Sequence, residues 1–238
     1  RNPLTGIAGF AALLKRDLAD DDPCQKLVSN ITRGVETLDQ TVTSLLNYTR
    51  FEEISAEMVR YDEFLRHTVE QFRYDHSALC RKVRFDLRSP FGSSPPPISL
   101  SCDPMLLRRL FYNLFTNAIE AHSGEPTIEV TFRKLPRQKA IQLYSTRMIL
   151  SVQETVTETV ICDNGPGLPE ESEKQLFAPF FTTKPEGNGL GLAIAWKIIK
   201  AHGGDILADN NPGGGARFTI LLPTRIEAAR TITEPATE

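Results

Sequence analysis

The sequence predicts an α+β protein: a two-helix hairpin followed by a two-layer α/β sandwich with a mixed sheet. Three observations predict it. Apolar residues in the first fifty positions step by threes and fours over two stretches separated by Asp20-Asp21-Asp22-Pro23, the pattern of paired amphipathic helices. From about residue 60 onward, short β-branched and aromatic runs alternate with helical ones, the mark of a layered α/β unit. Three glycine groups, at 165–167, 187–191 and 213–215, stand at junctions between those runs, where the backbone must turn or approach something closely.

The elements follow in order. Leu4, Ile7, Phe10, Leu13, Leu14 and Leu18 form one apolar stripe. Pro23 opens a second helix carrying Leu27, Ile31, Val35, Leu38, Val42 and Leu45 at coiled-coil spacing. Two lone helices bury such stripes poorly, so two hairpins are expected to pair into a four-helix bundle. Phe51 to Val59 reads as a hinge, Glu63 to Lys82 as a helix and Val83 to Leu87 as a strand. The Pro/Ser/Gly-rich stretch 89–97 is a loop. Ile98 to Ser101 leads into a helix that Asp103 caps and Pro104 starts. Thr127 to Phe132 is a strand, Arg133 to Gln142 is basic and loop-like, and Leu143 to Val152 and Thr155 to Cys162 are strands. The helix Leu190 to His202 and the strands Asp205 to Ala208 and Ala216 to Leu222 complete the sandwich, and the final residues are a polar tail. The divisions are 1–54, 55–225 and 226–238.

Composition narrows the classes of function. The chain has 238 residues and a net charge of −3, with no basic run, so nucleic acid is not an expected partner. No apolar stretch reaches the roughly 18 residues of a membrane span. The four cysteines, Cys24, Cys80, Cys102 and Cys162, lack the pair spacing of a metal site, and reduced cytoplasmic thiols are the simplest reading.

The chemistry concentrates in four segments. Asn113 and Asn117, four apart in the run Leu110 to Ala121, share one helical face. A side-chain amide oxygen is a hard, neutral ligand that suits magnesium. Asp163 ends a buried strand just before Asn164-Gly-Pro-Gly167, placed to accept a hydrogen bond from an exocyclic amine such as that of adenine. Gly187-Asn-Gly-Leu-Gly191 runs straight into a helix, where free backbone N–H groups and the helix dipole seat phosphate. It lacks both the Lys-Ser/Thr of a P-loop and the strand and acid of a dinucleotide fold. Gly213 to Gly215 is most simply a hairpin turn. His67, His76 and His122 sit in no catalytic arrangement; His202, ending a helix, is placed where a cationic ring favours the dipole. Trp196 is read as core.

The ordered set resembles the catalytic domain of a sensor histidine kinase, in the superfamily shared with gyrase, the Hsp90 chaperones and MutL. Asn113 and Asn117 match the N box, Asp163 to Gly167 the first glycine box, Phe177 to Lys184 the F box and Gly187 to Gly191 the second glycine box. The resemblance implies that ATP and Mg2+ bind here, with Asn117 on the metal and Asp163 on adenine. It also implies Gly165 and Gly167 in the base pocket, and Gly187, Gly189, Leu190 and Gly191 at the phosphates. The segment from about 167 to 187 would be a flexible lid bringing Thr183 and Lys184 to the phosphate end. Asn113 stands where the gyrase and Hsp90 branch has a glutamate, and an amide cannot activate water as a base. Transfer is therefore favoured over hydrolysis. Glu120 departs from the Lys that many such kinases carry.

Arg1-Asn-Pro-Leu-Thr-Gly-Ile7 resembles the tail of the family's phosphoacceptor box. The acceptor histidine would then lie three residues before Arg1, with Asn2 four positions after it, placed to position water for dephosphorylating a partner. The resemblance thus implies a cytoplasmic kinase core that dimerises through residues 1–54 and serves the receiver domain of a response regulator. Any membrane attachment would come from upstream domains. An ATP-hydrolysing conformational machine, and a nucleotide-gated or phosphatase-biased module, are the alternatives.

Overall fold

The computed structural model describes residues 2–18, 22–49, 54–77, 80, 84–88, 98–122, 124–144, 155–169, 175–184 and 187–224. They fall into two compact units: residues 1–51 with 180–190, and residues 52–179 with 191–238.

The first unit holds α1 (Asn2–Asp17) and α2 (Cys24–Thr49). Gln25 closes the hairpin: its Nε2 donates to the carbonyls of Lys15 (2.9 Å) and Leu18 (3.1 Å), satisfying acceptors that a helix C-terminus leaves open. Ala11, Val28 and Val35 are buried between the helices, while Ile7, Phe10, Leu14, Leu27, Ile31 and Leu38 are each about half exposed or more. The hairpin therefore covers its seam and leaves most of its apolar stripe open.

The second unit is the sandwich. A five-stranded sheet runs in the order β2 (Arg84–Arg88), β4 (Thr127–Pro136), β5 (Thr155–Asp163), β7 (Ala216–Pro223) and β6 (Asp205–Asn210). The β2–β4 pair is parallel and the others antiparallel, so the sheet is mixed as expected. Alternation along β4 buries Ile128, Val130 and Phe132 on one face. Against that face lie α3 (Tyr61–Asp75) and α4 (Pro104–Glu120). An aromatic cluster forms the joint: Phe72 meets Phe85 and Phe115 edge-on, and Tyr61 meets Phe132. The buried hydroxyl of Tyr61 lies 2.7 Å from that of Thr159, and burial drives the phenol pKa upward. Beside α4 packs α6 (Gly191–Ala201).

Several expectations are corrected. The end of the expected hinge, Glu57 to Val59, belongs to a strand, β1 (Glu57–Arg60), paired antiparallel with β3 (Ser99–Cys102). Helix α3 stops at Asp75, capped by the His76 N–H on the Phe72 carbonyl, short of the expected Lys82. The expected loop 133–142 continues β4 to Pro136 and then forms α5 (Arg137–Tyr144). Of the strand expected over 143–152, Leu143 and Tyr144 are helical; the rest, like the tail from 225, lies outside the described residues.

The extra length of this region has a physical account. Leu135, Ala140, Val156 and Leu221 form a buried cluster with Tyr144 against it. By strand alternation these side chains lie on the face of the sheet opposite α3 and α4, so α5 covers a surface that would otherwise be wet. Glu158, 3 % exposed, sits there directly across from Arg133. The guanidinium pairs with both carboxylate oxygens, and the Tyr144 hydroxyl adds a 2.6 Å bond. A buried charge is tolerable when it is paired and hydrogen-bonded in this way.

Candidate nucleotide site

Helix α4 presents the asparagines. Asp103 is its N-cap, accepting from the N–H groups of Met105 (3.0 Å) and Leu106 (3.1 Å); such a cap contributes about 1 kcal/mol. Leu107, Leu110, Phe111, Leu114 and Phe115 turn fully inward. Asn113 and Asn117, both half-buried, are left along the helix flank. The Asn113 Nδ2 is buried and has no hydrogen-bond partner among the described residues. An orphaned buried amide is costly and indicates a position built to be completed by something else.

Asp163 closes β5 at 8 % exposure. Its Oδ1 accepts from the N–H of Gly165 and of Ala216, both at 2.9 Å. Oδ2 has no protein donor among the described residues. One oxygen therefore fixes the carboxylate while the other stays available as an acceptor. Glycine is required alongside it. A Cβ at Gly215 would fall 1.9 Å from the Asp163 carbonyl oxygen, and φ there is 83°, a region that L side chains avoid. Gly213 to Gly215 does form the β6–β7 turn, through Gly214 N–H to Asn211 (2.8 Å) and Asn211 N–H to Gly215 (2.9 Å). Sequence reasoning missed its second duty, which is to let the turn pass against Asp163. Nothing in the glycine run itself distinguishes the two duties.

Gly165 borders the same place: a Cβ would lie 3.1 Å from Asp163 Oδ1 and 3.5 Å from Ala121 Cβ. Gly167, at φ 85°, turns the chain against Asn210, whose amide receives the Leu168 N–H at 2.6 Å and donates back to its carbonyl at 3.0 Å. Gly191 begins α6, and a Cβ there would stand 3.8 Å from Asn117 Nδ2. The helix start and the asparagine helix thus meet at the metal-ligand candidate. In the sandwich Gly191 meets Asn117, and Gly165 meets both Asp163 and Ala121 at the end of the asparagine helix, while Asn113 lies one turn before Asn117 and Gly167 two residues after Gly165.

The remaining predicted residues belong to the unit that contains the hairpin. Phe180 N–H bonds the Gly189 carbonyl at 3.0 Å, closing a loop in which both have positive φ, 66° and 64°. A Cβ at Gly189 would lie 2.4 Å from the Phe180 backbone. Asn188 Oδ1 accepts the Leu190 N–H (3.1 Å), and its Nδ2 donates to the Ser44 hydroxyl on α2 (3.1 Å). Gly187 leaves room for the Thr182 hydroxyl, a Cβ being only 2.6 Å from it. Thr183 is exposed and Lys184 half-buried. The Lys184 N–H is tied to Thr182 at 3.1 Å. The side chain of Asn2 lies outside the described ones.

Two smaller readings are overturned. His202 is no cationic cap: it is 1 % exposed, its ring accepts a backbone N–H, and burial pushes its pKa down. Trp196 is exposed, with the Lys200 ammonium 5.6 Å over its ring. The four cysteines are free. No described group of His, Cys, Asp and Glu could hold a metal ion.

The donor set fits a magnesium-bound adenine nucleotide: an open carboxylate oxygen for an amine, an orphaned amide, a neutral amide ligand, and a glycine helix start. Comparison with known proteins supports an ATP-binding domain. The profile of the histidine kinase-, DNA gyrase B- and HSP90-like ATPase family matches residues 102–226. That of the His Kinase A phospho-acceptor domain matches residues 1–54. The chain is 29 % identical over 233 residues to the signal transduction histidine-protein kinase AtoS of Escherichia coli (strain K12), covering 98 % of this chain and 34 % of that protein. It is 32 % identical over 233 residues to the sensory histidine kinase/phosphatase NtrB of Rhizobium leguminosarum bv. phaseoli, covering 96 % of this chain and 57 % of that one. It therefore spans only part of its curated relatives. Among solved structures, histidine kinase ThkA in complex with response regulator protein TrrA aligns at TM-score 0.65 and 26 % identity, over 96 % of this chain and 60 % of that one. The chain belongs to the histidine kinase branch of the gyrase- and HSP90-like ATPases, and comprises a phosphoacceptor-type hairpin joined to an ATP-binding domain.

Proposed function

We propose that this chain is the core of a sensor histidine kinase, moving the γ-phosphoryl group of ATP to a histidine just ahead of Arg1 for relay to a response-regulator aspartate. The observation that carries the nucleotide half is Asp163, clamped through Oδ1 and open at Oδ2, which suits the exocyclic amine of adenine. Gly165 and Gly167 let the base lie against the backbone. The α6 start at Gly191 offers N–H groups to the phosphates; by the family resemblance, Gly187, Gly189 and Leu190, and Thr183 and Lys184 of the lid, would serve the phosphate end as well.

Asn117 would hold Mg2+, which when bound neutralises phosphate charge. Asn113 orients through its amide and, being no base, does not activate water, so the site favours transfer over hydrolysis. Asn2 would orient water for dephosphorylating the partner. The exposed stripe of residues 1–54 fits a homodimer, with 55–225 as the catalytic domain and 226–238 as a tail. No described helix is long and apolar enough to cross a membrane. By the family resemblance the core would work in the cytoplasm, with any membrane attachment supplied by upstream domains. The ThkA–TrrA complex supports a receiver domain as the partner.

The test compares this chain with one carrying His-Glu-Ile before Arg1, each incubated with magnesium and γ-labelled ATP. Acid-labile label on the extended chain alone is expected. Label on neither, with nucleotide bound, would instead favour a nucleotide-gated or phosphatase module.

A further inference from the structure

His202 joins three segments through a chain of hydrogen bonds. Its Nδ1 lies 2.8 Å from the Ile198 carbonyl of α6, and its Nε2 accepts the Asp103 backbone N–H at 3.0 Å. A carbonyl can only accept and an N–H can only donate, so the ring is the neutral Nδ1-protonated tautomer. Asp103 in turn caps α4 through Oδ1 and takes the Ser55 N–H through Oδ2 at 3.0 Å. Ser55 lies on the chain entering β1. The ring cannot drift, because the turn behind it is tight. Gly203 has φ 69°, a Cβ on Gly204 would fall 2.3 Å from the Leu221 carbonyl oxygen, and the N–H groups of both glycines are spent on Lys200 and Ile199.

The two helices joined here carry the nucleotide site at their other ends. Asn117 on α4 and Gly191 on α6 approach within van der Waals reach, whereas Asp103 and His202 close the opposite end of the same helix pair. Over helices of this length a tilt is magnified: a few degrees at one end moves the other by about 1 Å, at 1.5 Å rise per residue. Misplacements of that size are enough to spoil a binding constellation.

We infer that His202 is a positioning residue for the nucleotide site, a neutral bridge that locks the far ends of α4 and α6 and, through Asp103, ties them to the chain entering β1. This rests on the nucleotide-site reading above and extends it to a residue that no substrate touches.

The experiment titrates the full chain with ADP and magnesium by calorimetry, alongside His202→Phe, His202→Gln and His202→Asn. Val156→Ala, in the cluster under α5, is the control for general destabilisation, and all are compared well below their melting points. His202→Phe is expected to weaken ADP binding about tenfold, and Val156→Ala to leave it unchanged. A Gln oxygen can reach the place of Nε2 and keep the Asp103 bond, while Asn can replace only Nδ1, so Gln should bind more tightly than Asn. That ranking decides the matter even if the Phe variant fails to fold. Equal affinities for wild type, Gln and Asn, or a loss in Val156→Ala matching that in His202→Phe, would overturn the inference. Absence of ADP binding by the wild type would overturn the nucleotide-site reading itself, and this inference with it.

Discussion

The hairpin and the sandwich are built from similarly apolar sequence but end in opposite states. In the sandwich, Tyr61, Phe72, Phe111, Phe115, Leu107 and Leu110 are sealed from water, and even the polar Glu158 and His202 are buried with partners. Among the described side chains of the hairpin only Ala11, Val28 and Val35 are buried, while Phe10 is 71 % and Leu27 61 % exposed. A helix pair offers one seam, so an apolar stripe wider than that seam stays open until another surface covers it. A sheet with helices on one face and α5 on part of the other closes on itself. The sandwich is thus a self-sufficient folding unit, and the hairpin is half of one.

Substitutions should break this contrast in a graded way. The largest effect belongs to Phe115→Ala, which empties the aromatic joint between α4, α3 and β2 and should cost about 3–5 kcal/mol in a urea melt. Leu14→Ala, on the open stripe, should cost well under about 1 kcal/mol in a sample dilute enough to be monomeric. Next is Leu38→Glu, a charge placed in the stripe. Sedimentation should find the parent chain dimeric at micromolar concentration and the variant monomeric, with nucleotide affinity unchanged. A dimer that survived Leu38→Glu would mean the stripe is covered by something other than a second hairpin.

A third effect depends on pH. Burial holds the His202 pKa below its usual 6.5, so in acid the unfolded chain binds more protons than the folded one. The stabilisation from neutral His202 is complete above pH 6.5 and is lost as pH falls from there toward the folded pKa. The sandwich melting temperature should drop over that window, and His202→Phe should flatten that part of the drop. The smallest effect runs the other way. Gly34, inside α2, has open space where a Cβ would stand, with nothing within 4 Å. Gly34→Ala should therefore stabilise the hairpin by about 0.5–1 kcal/mol and leave the sandwich untouched.

Where the pattern was local, the sequence was readable. The helical stripes, the Asp103–Pro104 start and the strand leading to Asp163 each announce themselves within a dozen residues, and the structure puts α4, β5 and α6 there. Elements decided by partners distant in sequence were hidden. Glu57–Arg60 has no strand pattern of its own and becomes one by pairing with β3, some forty residues on. Residues 137–142 look like part of a basic loop, and 143–144 like the start of a strand, because the surface α5 covers is assembled from β4, β5 and β7. The same holds within the site. Asp163 was legible as an acid at a strand end, but its clamp by the N–H of Ala216 depends on Gly215 bringing β7 within reach. His202 was misread because its partner, the Asp103 backbone, is ninety-nine residues away.

The central claim is the proposed role of Asp163, at the end of β5, as the acceptor for the adenine amine of a bound nucleotide. Calorimetric titration of the chain and of Asp163→Asn with Mg-ATP tests it most directly. The amide keeps an oxygen for the N–H groups of Gly165 and Ala216 but turns an NH2 toward the place of the adenine amine. The account predicts one nucleotide per parent chain and affinity lower by on the order of a hundredfold in the variant, with an unchanged unfolding curve. Equal binding by both chains would contradict it.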